Sequence, residues 1–239
     1  MSANSIAEKV EVIADAAYEK GKTDNDKELW DIRQRSGSLK NYGYFFAGAA
    51  WTEETVKPIY DIKPTNIYSM FNTTNTNGTP FSLIKAFENI EFDTSNATTA
   101  STCFSNAFIS DCPYLDLAKA SNLTQMFLNS KIAKIVGIRL KDDGSQTLSK
   151  AFDGCDSLVE VSFDGVIGQD ISFQLSPLNK ASLENIRDHL SPTTTGKTVT
   201  FKKTAVNAAF GVNVDDVSTY TEEFNEWRNG RSNWTFSYA

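Results

Sequence analysis

Leu148-Ser-Lys-Ala151-Phe152-Asp-Gly-Cys155-Asp-Ser-Leu158-Val-Glu-Val161-Ser-Phe163-Asp164 is the stretch from which the rest of the chain is read. An apolar residue, two polar ones, a small one and Phe are followed by Leu158, Val161 and Phe163 in alternation with polar neighbours. The first half recurs in Ile67-Tyr-Ser-Met70-Phe71, in Ala100-Ser-Thr-Cys103-Phe104 and in Leu123-Thr-Gln-Met126-Phe127. The second half recurs in Phe87-Glu-Asn-Ile90-Glu-Phe92-Asp93. The intervals between Phe71, Phe104, Phe127 and Phe152 are 33, 23 and 25 residues. A unit of that size cannot bury its own apolar face and must stack on its neighbours, so the spacing predicts an α/β solenoid.

The long first interval contains Asn72-Thr-Thr-Asn-Thr-Asn-Gly-Thr-Pro80, which reads as a polar insertion on one face. Strands are predicted at Tyr114–Leu117, Ile132–Gly137 and around Val161. Alternation along a strand then sends Asn89, Glu91, Asp116, Lys134, Val136, Glu160 and Ser162 outward onto one sheet face, where a ligand would meet them. The array occupies residues 67–175 in this reading.

The flanks have different patterns. In residues 1–37, Ile6, Val10, Ile13 and Ala17 recur at four, three and four, the stripe of an amphipathic helix. The stripe is too short to hold alone in water, so it docks, either as a cap on the first repeat or as a homo-oligomerising anchor. Residues 38–66 carry Tyr42, Tyr44, Phe45, Phe46, Trp51 and Tyr60, an aromatic density that would line a carbohydrate platform or, the favoured reading, cover an open repeat end. The 176–239 segment predicts an α+β C-terminal cap. Its expected elements are a helix through Leu183, Ile186 and Leu190, a strand at Lys197–Phe201 and a helical turn at Ala205–Phe210. A helix through Tyr220, Phe224 and Trp227 and a final strand from Trp234 follow.

Bulk properties narrow the function. The chain has 239 residues and a net charge of −7, which argues against a nucleic-acid partner and offers no basic patch to anionic membranes. No apolar stretch reaches the length of a membrane span. The start, Met1-Ser-Ala-Asn-Ser-Ile-Ala-Glu-Lys-Val, lacks the pattern of a secretory signal, so the expectation is folding where the chain is made. Cys103, Cys112 and Cys155 are an odd number of thiols and read as small core fillers rather than a disulfide framework.

Catalytic chemistry has little to work with. The one histidine, His189, lies in a predicted helix with no triad partner near it. Asp142-Asp143-Gly144 reads as a turn and Asp215-Asp216 as a helix start; neither has calcium-loop spacing. There is no zinc ligand set, phosphate loop or nucleophile elbow, so no catalytic residue, metal or cofactor is expected.

Ala151-Phe152-Asp-Gly-Cys155-Asp-Ser-Leu158-Val-Glu-Val161 resembles the A/M-F-x-x-C-x-x-L motif of BspA-like leucine-rich repeats, and Met126-Phe127 and Met70-Phe71 share part of it. The flanks, Leu29-Trp30-Asp31, Asn41 to Gly48, Trp51 and Lys57 to Ile62, are similar to leucine-rich-repeat proteins of phages and prophages of gut bacteria. The resemblance implies a non-enzymatic virion structural protein, a surface-exposed tail or fibre component assembled in the host cytoplasm. Its partners would be other virion proteins, a host surface protein or a glycan. A bacterial surface adhesin of the BspA type is the alternative, and a carbohydrate-active enzyme the third reading.

Overall fold

The computed structural model describes residues 63–72 and 92–239. The expected N-terminal anchor with Ile6, Val10, Ile13 and Ala17, the aromatic block as far as Ile62, and Asn89 and Glu91 lie outside the described residues.

Each segment leading to a repeat Phe folds as a tight turn. Backbone bonds Met70 N→Ile67 O (3.2 Å), Cys103 N→Ala100 O (3.2 Å), Met126 N→Leu123 O (3.2 Å) and Ala151 N→Leu148 O (3.0 Å) close four-residue turns. The third residue of each turn is left-handed: Ser69, Thr102, Gln125 and Lys150 have φ of 51°, 54°, 56° and 53°. A turn of this kind needs positive φ at that place. It aims the next N–H along the stack, so Phe71 donates to Cys103 O, Phe104 to Met126 O and Phe127 to Ala151 O, each at 2.8 Å. Parallel bridges Asn66–Thr99, Thr99–Asn122 and Asn122–Thr147 join the same segments.

Because each unit repeats the same backbone, each Phe takes the same direction. The rings of Phe71 and Phe104 lie 5.1 Å apart at 8°, Phe104 and Phe127 5.5 Å at 5°, and Phe127 and Phe152 5.3 Å at 17°. Offset stacking at these distances adds about 0.5–1.5 kcal/mol per pair beyond burial. The column continues through Phe173, 4.8 Å from Phe152, and Phe201, 6.2 Å from Phe173.

A second ladder forms from the other half of each unit. Strands β1 (Asp111–Asp116), β2 (Lys134–Arg139) and β3 (Glu160–Asp164) pair in parallel in the order β1-β2-β3. Cys112 and Leu115, Ile135 and Ile138, and Val161 and Phe163 point into the core. Between those inward pairs β1 and β2 each carry two residues, Pro113-Tyr114 and Val136-Gly137, where β3 has only Ser162. The mismatch is a β-bulge, which bends a strand and re-aims its side chains. Gln146, buried, staples the layers: its amide donates to Leu117 O and Ala120 O at 2.8 Å and accepts from Lys141 N at 2.7 Å.

Toward the C-terminus the ladders change character. Where tight turns ran before, β4 (Ile171–Phe173), β5 (Lys197–Phe201) and β6 (Trp234–Tyr238) form a regular parallel sheet. Beside β3, helix α1 (Lys180–His189) replaces a further strand. Ser182 Oγ accepts from Val161 N at 3.0 Å and Asn185 Oδ1 from Phe163 N at 2.7 Å, satisfying an edge that would otherwise be open. Asn179 caps α1 by accepting from Ser182 N at 2.9 Å. Helices α2 (Lys203–Phe210) and α3 (Glu222–Asn229) follow, and Trp227 of α3 packs 5.5 Å from Phe201. The short turn expected at Ala205–Phe210 is thus a full helix beginning at Lys203, ended by left-handed Gly211 at φ 65°.

Candidate ligand-binding face

The outer face of β1-β2-β3 is open, and it gathers most of the outward residues read from the sequence. Asp116, Lys134, Glu160 and Ser162 all lie on these strands, partly or wholly exposed, and Val136 is 44% exposed. The register sets Lys134 beside Glu160, and their side chains meet at 3.7 Å. Asp116, Arg139 and Asp164 sit abreast across the three strands. The Asp116 carboxylate is engaged locally, accepting from Ala118 N at 3.1 Å, and Ser162 Oγ donates to Val136 O at 2.8 Å.

The centre of the face is Tyr114, which is 47% exposed. It stands opposite Gly137 in register, and a methyl group on Gly137 would meet its ring carbon at 2.8 Å and Ser162 Oγ at 3.3 Å. Only glycine lets the ring lie down across β2. Its hydroxyl donates to Asp164 Oδ2 on β3 at 3.4 Å. Partial burial, reinforced by Asp164 and Asp116, raises the phenol's pKa, so the hydroxyl keeps its proton and remains a donor.

Arg139 braces the same edge. It gives one N–H to Asp164 Oδ1 at 2.9 Å and another to Asp142 Oδ1 and Oδ2 at 3.0 and 3.1 Å. A planar guanidinium held by two carboxylates is fixed in orientation as well as in charge. Asp142, read from sequence as a turn residue, therefore both makes the turn and anchors this arginine.

Tyr114, Gly137, Arg139 and Asp164 were not selected from the sequence, although a signal existed for two of them. Tyr114 has the same parity as Asp116, and a glycine inside a strand pattern marks a close approach. The bulge and the brace from Asp142 have no local signature.

The other chemistry-bearing residues stay apart. His189 Nδ1 is 2.8 Å from Asn185 O on its own helix. Asp215 pairs with Lys203 at 2.9 Å and Asp216 caps the 3-10 turn Val217–Thr219. Cys103, Cys112 and Cys155 are buried and unpaired to one another, and burial pushes the Cys155 thiol up to about 12. Cys155 Sγ donates to Phe127 O at 3.0 Å. An open cleft of about 360 Å³ between α1 and α2 is lined by Pro177, Leu178 and alanines of α2 together with polar Asn179, Lys180 and Thr204. Among the described residues no three His, Cys, Asp or Glu gather as a metal site would, and no helix is long and apolar enough to cross a membrane. Comparison of the chain with protein-family models, with curated proteins and with solved structures finds no match.

Proposed function

We propose that this chain is a short leucine-rich-repeat solenoid of the BspA-like kind, acting as a non-enzymatic virion protein on a phage tail or fibre. In this reading the outer face of β1-β2-β3 meets a host surface protein or glycan, and the remainder of the molecule is scaffold. What supports the repeat reading is the Phe71–Phe104–Phe127–Phe152 column with the parallel sheet beside it, which together back an open face; the virion role rests on the resemblance of the sequence. A face backed by regular stacking presents its side chains at fixed spacing, as recognition requires. Among the described residues this face is an open strand surface rather than an enclosed cleft, which suits binding.

Immunogold labelling with antibody raised to the recombinant chain tests the assignment. Gold on tails or fibres of particles released from the producing strain is the expected result. Label confined to the bacterial surface would replace it with the adhesin reading, and label on neither would remove both.

A further inference from the structure

The geometry points to Tyr114 as the stacking floor of a saccharide subsite, one that takes an uncharged pyranose on its exposed ring face. The inference rests on the recognition role proposed above and narrows the ligand to a neutral glycan.

Four features of the face converge on that chemistry. The Tyr114 ring packs over Gly137 and its hydroxyl reaches Asp164 Oδ2 at 3.4 Å, while the residue stays 47% exposed. Such a ring has little side-chain freedom left to lose when a ligand arrives. Its apolar surface matches the C–H face of a pyranose.

Around the ring stand oriented polar groups. Asp164 and Asp142 hold oxygens fixed by Arg139, and a carboxylate has more acceptor sites than these bonds occupy. Asp116 lies on the same row. Fixed carboxylate acceptors beside a ring receive the hydroxyl donors of a sugar in two directions. Ser162 Oγ, turned toward Val136 O, keeps its lone pairs for a further donor.

Charge and size exclude competing occupants. Three carboxylates, Asp116, Asp142 and Asp164, lie about one guanidinium, Arg139, so this rim is net negative. A phosphate, sulfate or sialylated group would be repelled there. A quaternary ammonium is held by a cage of aromatic rings, and Tyr114 is the one exposed ring among the described residues of this sheet. A folded protein partner buries about 800 Å² on each side, so a subsite made of the Tyr114 ring and its rim takes a small group rather than a protein surface.

The test is a printed array of neutral and sialylated oligosaccharides probed with the full chain, followed by titration calorimetry on whatever binds. Binding confined to neutral glycans is expected, with affinity falling at least 10-fold in Tyr114→Ala and less than 3-fold in Tyr114→Phe. Gly137→Ala, which lifts the ring, should weaken binding comparably to Tyr114→Ala, with the circular dichroism spectrum of each variant unchanged. Neutral-glycan binding that survives Tyr114→Ala overturns the subsite while leaving recognition by the chain intact. Binding only of sialylated glycans, or none at all by a chain that labels virions, overturns the ligand class and leaves the virion role standing. Neutral-glycan binding lost in Tyr114→Ala by a chain absent from virions supports the subsite and removes that role.

Discussion

Left-handed positions flank the stacked phenylalanines among the described residues. Two residues before each stand Ser69, Thr102, Gln125 and Lys150, and two after Phe104, Phe127 and Phe152 stand Asn106, Asn129 and Gly154, all with φ between 51° and 75°. The later slot was readable in the sequence, because Asn and Gly are the residues that tolerate left-handed backbone. The earlier slot was not readable, since Ser, Thr, Gln and Lys share no preference for that conformation. Hydrogen bonds from the neighbouring unit impose it, as Gln125 N donating to Ser149 O at 2.9 Å illustrates. Lys150 is exposed, so its side chain contributes little to offset the left-handed penalty of about 1–2 kcal/mol. Lys150→Gly should therefore hold or raise the urea midpoint, while Lys150→Val lowers stability by about 1 kcal/mol or more. Equal midpoints for the two variants would refute the strain at this slot.

At the scale of elements, the first sheet stops where a helix mimics its next strand. Ser182 and Asn185 lie three apart on α1, one turn of the same face, and reach Val161 N and Phe163 N, two residues apart on β3. The helix itself was legible from Leu183, Ile186 and Leu190. Its task was not, because an asparagine on a helix carries no mark of the strand it will serve. Asn185→Ala leaves the Phe163 amide buried without its acceptor, a loss of about 1–3 kcal/mol. Asn185→Asp retains the acceptor and should lose less. Denaturant unfolding gives both values, and faster hydrogen exchange at the Phe163 amide in the alanine variant localises the effect. An unchanged exchange rate there would mean the edge is satisfied by something else.

For the whole molecule, the column is the axis of stability. Phe127 is buried and stacked on both sides, so Phe127→Ala opens a cavity costing about 3–5 kcal/mol. That approaches the total stability of many domains, about 5–15 kcal/mol. The alanine variant should melt at far lower temperature or fail to fold, and Phe127→Leu should fold with a smaller loss. A melting curve for Phe127→Ala within a few degrees of the parent would deny the column its role.

Stability should also fall at both pH extremes. Asp93, Asp143, Asp156 and Asp216 have pKa values lowered from 3.8, chiefly by bonds from Ser95, the Ser145 amide, Lys131 and Ser218 respectively. Their folded-state pKa lies below the unfolded one, so their contribution is present above 3.8 and is lost as pH falls below it through the folded-state values. The thiol of Cys155 is raised from 9.0 to about 12 by burial, so stability is full below 9.0 and declines as pH climbs past it. Melting temperature against pH should give a plateau with falling limbs on both sides, the acid one modest because three of those carboxylates are exposed and Asp93 is only half-buried.

What the residues determined alone was equivalence: which phenylalanines correspond and where helices follow. These are local, periodic properties, set by side-chain size and alternation. What awaited the tertiary structure was everything that depends on one unit meeting the next. That includes the left-handed turns, the bulge opposite Ser162, the helix that closes β3, and Tyr114 laid over Gly137 and tied to a residue fifty positions away. The physical reason is that hydrogen bonds between stacked units select backbone states that a single unit alone would disfavour.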